Sequence, residues 1–166
     1  KDYERLLESS ELITYINRIK LQLYFLLYNV SYNNPKIERE ILKEVGAVLT
    51  LKERWKLKGS GSPKLIMNSS SIQIHNLMVL DINANTCNIE IRQNGIIVRF
   101  RSLLETYALP IPYYKLTIYK GRAQEYSIHK DNYFVKIKAD HKRIHKFFEK
   151  LSQLKTDQGF EYIDDL

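Results

Sequence analysis

A chain of 166 residues with 44% hydrophobic and 27% charged side chains can bury a core of its own, which excludes a disordered tail or a metal- or disulfide-stapled miniprotein. Its one cysteine, Cys87, excludes an internal disulfide and fits a reducing compartment. The formal charge of +7 either draws the chain towards phosphates, anionic lipid or acidic proteins or serves solubility alone.

The charge is uneven. Residues 1–58 carry a net +3 and residues 59–166 a net +4, while 156–166 hold four acids and no base. A basic body therefore ends in an acidic tail. Twelve tyrosines against one tryptophan favour strands and contact faces. The chain opens Lys1-Asp2-Tyr3, without a signal peptide, as the interior of a longer protein or a trimmed chain would. The most apolar run, 21–28, is too short to span a bilayer. A cytoplasmic location is expected, with membrane association as the alternative.

Leu12, Ile16, Ile19, Leu23, Leu26 and Val30 recur at steps of three and four, which predicts a helix over 2–30. Tyr24, Leu27 and Tyr28 widen its stripe. Asn34-Pro35 starts a second helix: the Asn caps, and the Pro sits where its missing N–H costs nothing. Ile37, Ile41, Leu42 and Val45 form its apolar face and Gly46 its end. The two helices are expected to form an antiparallel hairpin over 1–48.

From Leu49 the period changes to two. Leu49, Leu51, Glu53, Trp55 and Leu57 alternate with Thr50, Lys52, Arg54, Lys56 and Lys58, which predicts a strand with a basic outer face. Gly59-Ser60-Gly61-Ser62-Pro63 reads as a loop, in composition equally like an engineered linker and a natural turn. Residues 64–67, 72–75 and 77–82 are further strand candidates. Asn94-Gly95 between 88–93 and 96–101 is a hairpin signal. Folding about it pairs Ile91 with Val98, Ile89 with Phe100 and Glu90 with Arg99. A second hairpin at Asp131-Asn132 pairs Ile128 with Val135 and Tyr126 with Ile137. Between the hairpins, Pro110 and Pro112 require an edge or a strand start. Residues 113–119 resume as a strand with Leu116 and Ile118 inward. The last helix covers 140–154, capped by Asp140, with Ile144, Phe147, Phe148, Leu151 and Leu154 buried. The expected fold class is α+β: a helical hairpin over 1–48, an antiparallel β-domain with its C-terminal helix over 49–155, and an acidic tail over 156–166.

About seven short strands followed by one amphipathic helix resemble a pleckstrin-homology-like domain, and the stretch 94–138 resembles the bacterial members. The pieces that carry the likeness are Asn94-Gly95-Ile96-Ile97-Val98-Arg99-Phe100, then Ile111-Pro112-Tyr113-Tyr114-Lys115-Leu116, then Phe134-Val135-Lys136-Ile137. The resemblance implies two bent antiparallel sheets in an open barrel with the helix plugging one end. Two features depart from the family: the tryptophan often found in the C-terminal helix of eukaryotic members is absent, and the helical hairpin lies outside the core fold.

Phosphoinositide-binding members of that family carry a basic cluster. Here Arg92 and Arg99-Phe100-Arg101-Ser102-Leu103 offer guanidinium forks suited to phosphates. They lie on a central hairpin rather than on the first two strands, and Arg99 faces Glu90, so a solvated charged face is the plainer reading. Tyr113 and Tyr114, with Tyr119, Tyr126 and Tyr133, accompany Arg99, Arg101, Lys136 and Lys138, and aromatics among cations can stack bases. The candidate ligand residues are therefore Arg92, Arg99, Arg101, Lys136, Lys138, Tyr113 and Tyr114. His141 and His145 have metal-ligand spacing, with Asp140 and His129 as conceivable further ligands, but Lys142, Arg143 and Lys146 would repel a metal ion. No metal or cofactor is expected. The sequence has no nucleophile elbow, phosphate loop or dinucleotide glycine pattern. Cys87, in Asn85-Thr86-Cys87-Asn88 just ahead of a strand, reads as structural or incidental. Asn29-Val30-Ser31 and Asn68-Ser69-Ser70 match the glycosylation sequon, a match common by chance. The expected function is a non-enzymatic docking module for a protein or peptide. The alternatives are peripheral binding of anionic lipid headgroups, or weak nucleic-acid binding through the basic, tyrosine-rich face.

Overall fold

A computed structural model describes residues 27–79, 81, 85–121 and 124–161. In chain order the elements are β1 (Tyr28–Asn29), α1 (Pro35–Val45), α2 (Leu51–Lys56), β2 (Leu65–Ser70), α3 (Ile72–Met78), β3 (Thr86–Arg92), β4 (Gly95–Ser102), β5 (Glu105–Pro112), β6 (Thr117–Gly121), β7 (Glu125–Lys130), β8 (Tyr133–Lys138) and α4 (Lys142–Glu161). The strands form one open antiparallel sheet in the order β1-β5-β4-β3-β2-β8-β7-β6. The fold is thus α+β, sheet-rich, with a C-terminal helix. No described helix is long and apolar enough to cross a membrane.

β2 joins the two halves of the sheet. Leu65 and Ile66 pair with Cys87 and Thr86 of β3, and Ile66 to Ser70 pair with β8 through a register shift between Met67 and Ser69. The Gly59-to-Pro63 stretch is ordered along β3. Ile91 N–H donates to Ser60 O at 2.8 Å, Ser62 N–H donates to Ile89 O at 2.8 Å, and Gly61 bridges Glu90.

Strand alternation builds the main core. Cys87, Ile89 and Ile91 of β3, Tyr126 and Ile128 of β7, and Tyr133, Val135 and Ile137 of β8 turn inward onto Ile144, Phe147, Phe148 and Leu151 of α4. Phe148 is fully buried and stacks on Tyr126 at 4.2 Å between centroids. Burial of such a side chain contributes about 1.5–3 kcal/mol. A second, smaller core lies on the opposite face of β4 and β5, where Ile41 and Val45 of α1 cover Ile97 and Ala108. β4 is consequently buried on both faces.

Several expectations hold. α1 begins where Asn34 accepts Lys36 N–H at 3.0 Å and ends at Gly46, whose φ of 75° suits glycine. Leu42, expected on its apolar face, is exposed. The Asp131-Asn132 hairpin has the expected register, Ile128 with Val135 and Tyr126 with Ile137. β5 carries Pro110 and Pro112 beyond the reach of β1, which pairs only with Tyr107 and Ala108. Among the described residues, those prolines therefore face no neighbouring strand on that side.

The differences have local causes. The strand expected over 49–58 is instead α2. Thr50 and Glu53 form a reciprocal capping box that nucleates a helix, and Arg54 Nε closes back on Leu49 O at 2.9 Å. Residues 72–75 and the start of 77–82 are helical too, because Ile74 and Met78 lie four apart and both reach the core; Leu80 and Ile82 lie outside the described residues. The helix expected over 2–30 falls mostly on residues 1–26, also outside them. Its end is strand β1, so the helical hairpin with α1 is not supported. The Asn94-Gly95 hairpin forms two residues out of the expected register: Ile91 pairs with Ile96, Ile89 with Val98 and Arg92 with Gly95. Hydrogen bonds from Gln93 N–H to Ala47 O (3.2 Å) and Asn94 N–H to Val45 O (2.9 Å) tie the turn to the end of α1. A shift of two keeps every side chain on its expected face. Residues 113–115 form a 3₁₀ turn before β6. Asp140 pairs with Lys138 at 3.3 Å, ahead of a helix that starts at Lys142. That helix runs on to Glu161, into the segment expected to be a separate acidic tail.

Candidate functional site

The seven expected ligand residues do not converge. Glu90 holds two of the arginines: Arg92 Nε is 2.8 Å from Glu90 Oε1, and Arg99 Nη1 bonds Glu90 Oε2. Arg101 is exposed, with Nε donating to Leu103 O at 3.1 Å. Lys136 and Lys138 belong to the other half of the sheet, where they face Glu125 at 3.9 Å and Asp140 at 3.3 Å. Tyr113 is buried, and burial pushes its phenol up to about 12. Tyr114 is exposed beside a cleft of about 520 Å³ lined by Tyr28, Glu40, Lys43, Glu44, Lys115 and Lys130. An ion pair already satisfied inside the protein offers an incoming phosphate little, because its partner must first be displaced.

Cys87 and His145 are likewise engaged. Cys87 lies within β3 rather than ahead of it, and burial pushes its thiol up to about 12, so almost none is thiolate near neutrality. His145 Nδ1 is 3.1 Å from the Tyr126 hydroxyl. His141 points to solvent, 3.7 Å from Asp140. His129 lies on the sheet's outer face, away from both. Among the described residues no cluster of three or more His, Cys, Asp or Glu could hold a metal ion.

The structure assembles two features that residue-by-residue reading missed. The first is an aromatic row across β6, β7 and β8. Tyr119 meets His129 edge-on at 5.2 Å, and His129 stacks on Phe134 at 5.7 Å. Lys136 lies on the same face, opposite Ser127. Tyr119 is exposed, and His129 and Phe134 are half-buried. The buried side chains of α1 go to the small core and those of α3 and α4 to the main one, so this outer face carries no counterpart of α1 among the described residues. The register of the Asp131-Asn132 hairpin already implied that His129 and Phe134 are neighbours.

The second feature is a buried cation. Lys130 is 1% exposed, and its Nζ donates to Glu44 Oε2 at 2.7 Å and to Pro110 O at 2.6 Å. Glu44 also accepts the Tyr28 hydroxyl at 3.1 Å; burial, then Glu44, pushes that phenol above its ordinary range. Lys130 and Glu44 are 86 residues apart, so no local pattern could have paired them.

No known family, characterised protein or solved structure matches the chain.

The outer face of β6–β8 ends at an edge. Among the described residues β6 pairs with β7 alone, so alternate N–H and C=O groups of β6 point away from the described sheet. Edge, aromatic row and Lys136 together form the candidate contact face.

Proposed function

We propose that the chain is a non-enzymatic docking module of pleckstrin-homology-like build, binding a protein or peptide along the free edge and outer face of β6–β8. The family reading draws support from seven strands, β2 to β8, that follow one another as antiparallel neighbours in two halves sharing β2. It also draws support from an α4 whose apolar face fills the space within.

The observation that carries the docking reading is the Tyr119–His129–Phe134 row running to a strand edge that no other described strand pairs. An extended peptide added to β6 gains main-chain hydrogen bonds, and every second side chain lands over the rings. Lys136 and Lys138 contribute steering of an acidic partner more than affinity. A single strand of nucleic acid could meet the same rings through stacking, and its retention would fall steeply with salt.

Panning a library of displayed peptides on the chain tests the reading. Enriched peptides should bind Tyr119→Ala and Phe134→Ala variants at least about tenfold more weakly, the loss expected from removing aromatic anchors. Far-ultraviolet circular dichroism checks that both variants fold. Peptides that bind all three proteins alike, or salt-sensitive retention of an oligothymidylate in place of any peptide, would defeat it.

A further inference from the structure

We infer that α2 is a docking element for the surface of an anionic bilayer, independent of the peptide face on β6–β8. Leu51 and Trp55 are 83% and 89% exposed. They lie four residues apart and so share one side of the helix. At about 100° per residue, Lys52 and Lys56 flank that side on one edge and Arg54 on the other. Lys58 follows at the C-terminal end. All four cations are exposed.

The element is rigid before it meets anything. The Thr50–Glu53 capping box closes its start. Gly59 N–H donates to Arg54 O at 2.8 Å and closes its end. Leu57 packs on the main core, and Lys150 of α4 donates to Leu57 O at 3.2 Å and to Gly59 O at 2.7 Å. Two large apolar side chains are thus held out in water on a turn that cannot fold them away, an arrangement that marks an interaction site.

A bilayer is the occupant these residues fit. Leu51 and Trp55 line no cleft, the neighbouring one of about 510 Å³ being lined by Glu53, Lys56 and Leu57 instead, and two protruding side chains fall well short of the roughly 800 Å² per partner of a stable protein interface. Tryptophan favours the membrane–water boundary, where its ring is apolar and its N–H wet. Each flanking cation adds attraction to anionic headgroups. Glu53, the one acid of α2, is consumed by the cap. Apolar insertion and electrostatic attraction are individually weak and together give stable, reversible binding.

Trp55 is the chain's single tryptophan, so its fluorescence reports on this site alone. Titrating the whole chain with vesicles of phosphatidylcholine plus phosphatidylserine should shift its emission to shorter wavelength, and brominated acyl chains should quench it. Phosphatidylcholine vesicles alone should do neither. Leu51→Ser should weaken vesicle binding about tenfold, and Lys52→Glu with Lys56→Glu should weaken it by more than about tenfold. All three residues are solvent-exposed, so the variants leave the core intact. The inference fails if the chain ignores anionic vesicles, or binds them with Trp55 emission unmoved. It also fails if neutral vesicles or poly-glutamate shift the emission equally, or if the shift follows protein concentration without lipid, which would mean a second copy covers the helix.

Discussion

β4 and β7 are both interior strands of one sheet, yet they live differently. β4 lies between β3 and β5 and is buried on both faces, by the main core and by α1; β7 lies between β6 and β8 and is buried on one. The difference is written in their residues. Gly95-Ile96-Ile97-Val98 is a continuous apolar run, the pattern of a strand covered on both sides. Tyr126-Ser127-Ile128-His129 alternates, the pattern of a strand with one wet face. A covered face stabilises the fold, whereas a face that no described helix covers and that keeps a row of rings is the one proposed for binding.

The largest expected effect strikes where the covered half is tightest. Gly95 is not in the left-handed region; it is glycine for want of space. A Cβ there would meet Ile111 O at 2.4 Å, Pro112 Cα at 2.8 Å and Val45 Cγ1 at 2.9 Å. Two of those three atoms are backbone and cannot rotate away. Gly95→Ala should therefore cost about 3 kcal/mol or more, read as loss of a cooperative urea transition or a sharply lowered midpoint. An alanine variant of native stability would show that α1 and β5 stand further from β4 than described.

A matched pair of substitutions measures the contrast directly. Ile97 and His129 both point to the outer face, one beneath α1 and one in the aromatic row. Ile97→Ala should cost about 3 kcal/mol, transfer and cavity terms together. His129→Ala should cost under about 1 kcal/mol. Equal losses in denaturant melts would mean the β6–β8 face is covered after all.

The two halves are also tied by charge. Glu44→Ala strands the Lys130 ammonium with Pro110 O as its remaining partner. Complete burial of the pair would make the loss 3–5 kcal/mol; Glu44 keeps 29% of its side chain exposed, so about 2 kcal/mol is expected. Replacing both residues, Glu44→Leu with Lys130→Met, should recover most of it, because no charge is then left buried. A double variant as unstable as the single one would assign the loss to packing.

How much of this could be read in advance depends on range. The period of two, the Asp131-Asn132 hairpin, the body of α4 and the caps of α1 are local patterns, and all were legible. The 49–58 stretch misled because Leu49, Leu51, Trp55 and Leu57 satisfy a period of two while Leu51 and Trp55 also satisfy a helix. Thr50-Leu51-Lys52-Glu53, a capping-box signature, should have decided the matter. The first hairpin departs from its expected register because Asn94-Gly95 reads locally as a two-residue turn, whereas contacts with Val45, Ala47, Ile111 and Pro112 set the register. The expected basic site dissolved for a related reason. The opposite charges at Glu90 and Arg99 are legible in the sequence, but Glu90 serves Arg92 as well because three outward side chains crowd one patch, which only the folded sheet brings together. Lys130 with Glu44 was beyond any local reading.

The smallest expected effect separates α2 from both halves of the sheet. The Thr50 hydroxyl, then the Thr50 N–H, hold the Glu53 carboxyl below the ordinary glutamate value of 4.5. A carboxyl whose value is lowered by folding contributes its stabilisation above the unfolded value, and loses it as pH falls through the folded one. Acid below about pH 4.5 should therefore unlatch the start of α2 while the strands stay closed. Amide exchange followed by nuclear magnetic resonance reads this residue by residue. The Thr50 amide, which donates to Glu53 Oε2 at 2.6 Å, should lose protection on acidification, whereas those of Val98 and Ile128 should not. Glu53→Gln removes the titration, so its Thr50 amide should be insensitive across the same range. Should the β4 amides open together with Thr50, α2 would be cooperative with the sheet, and the rigid presentation of Leu51 and Trp55 would rest on the whole core rather than on its own caps.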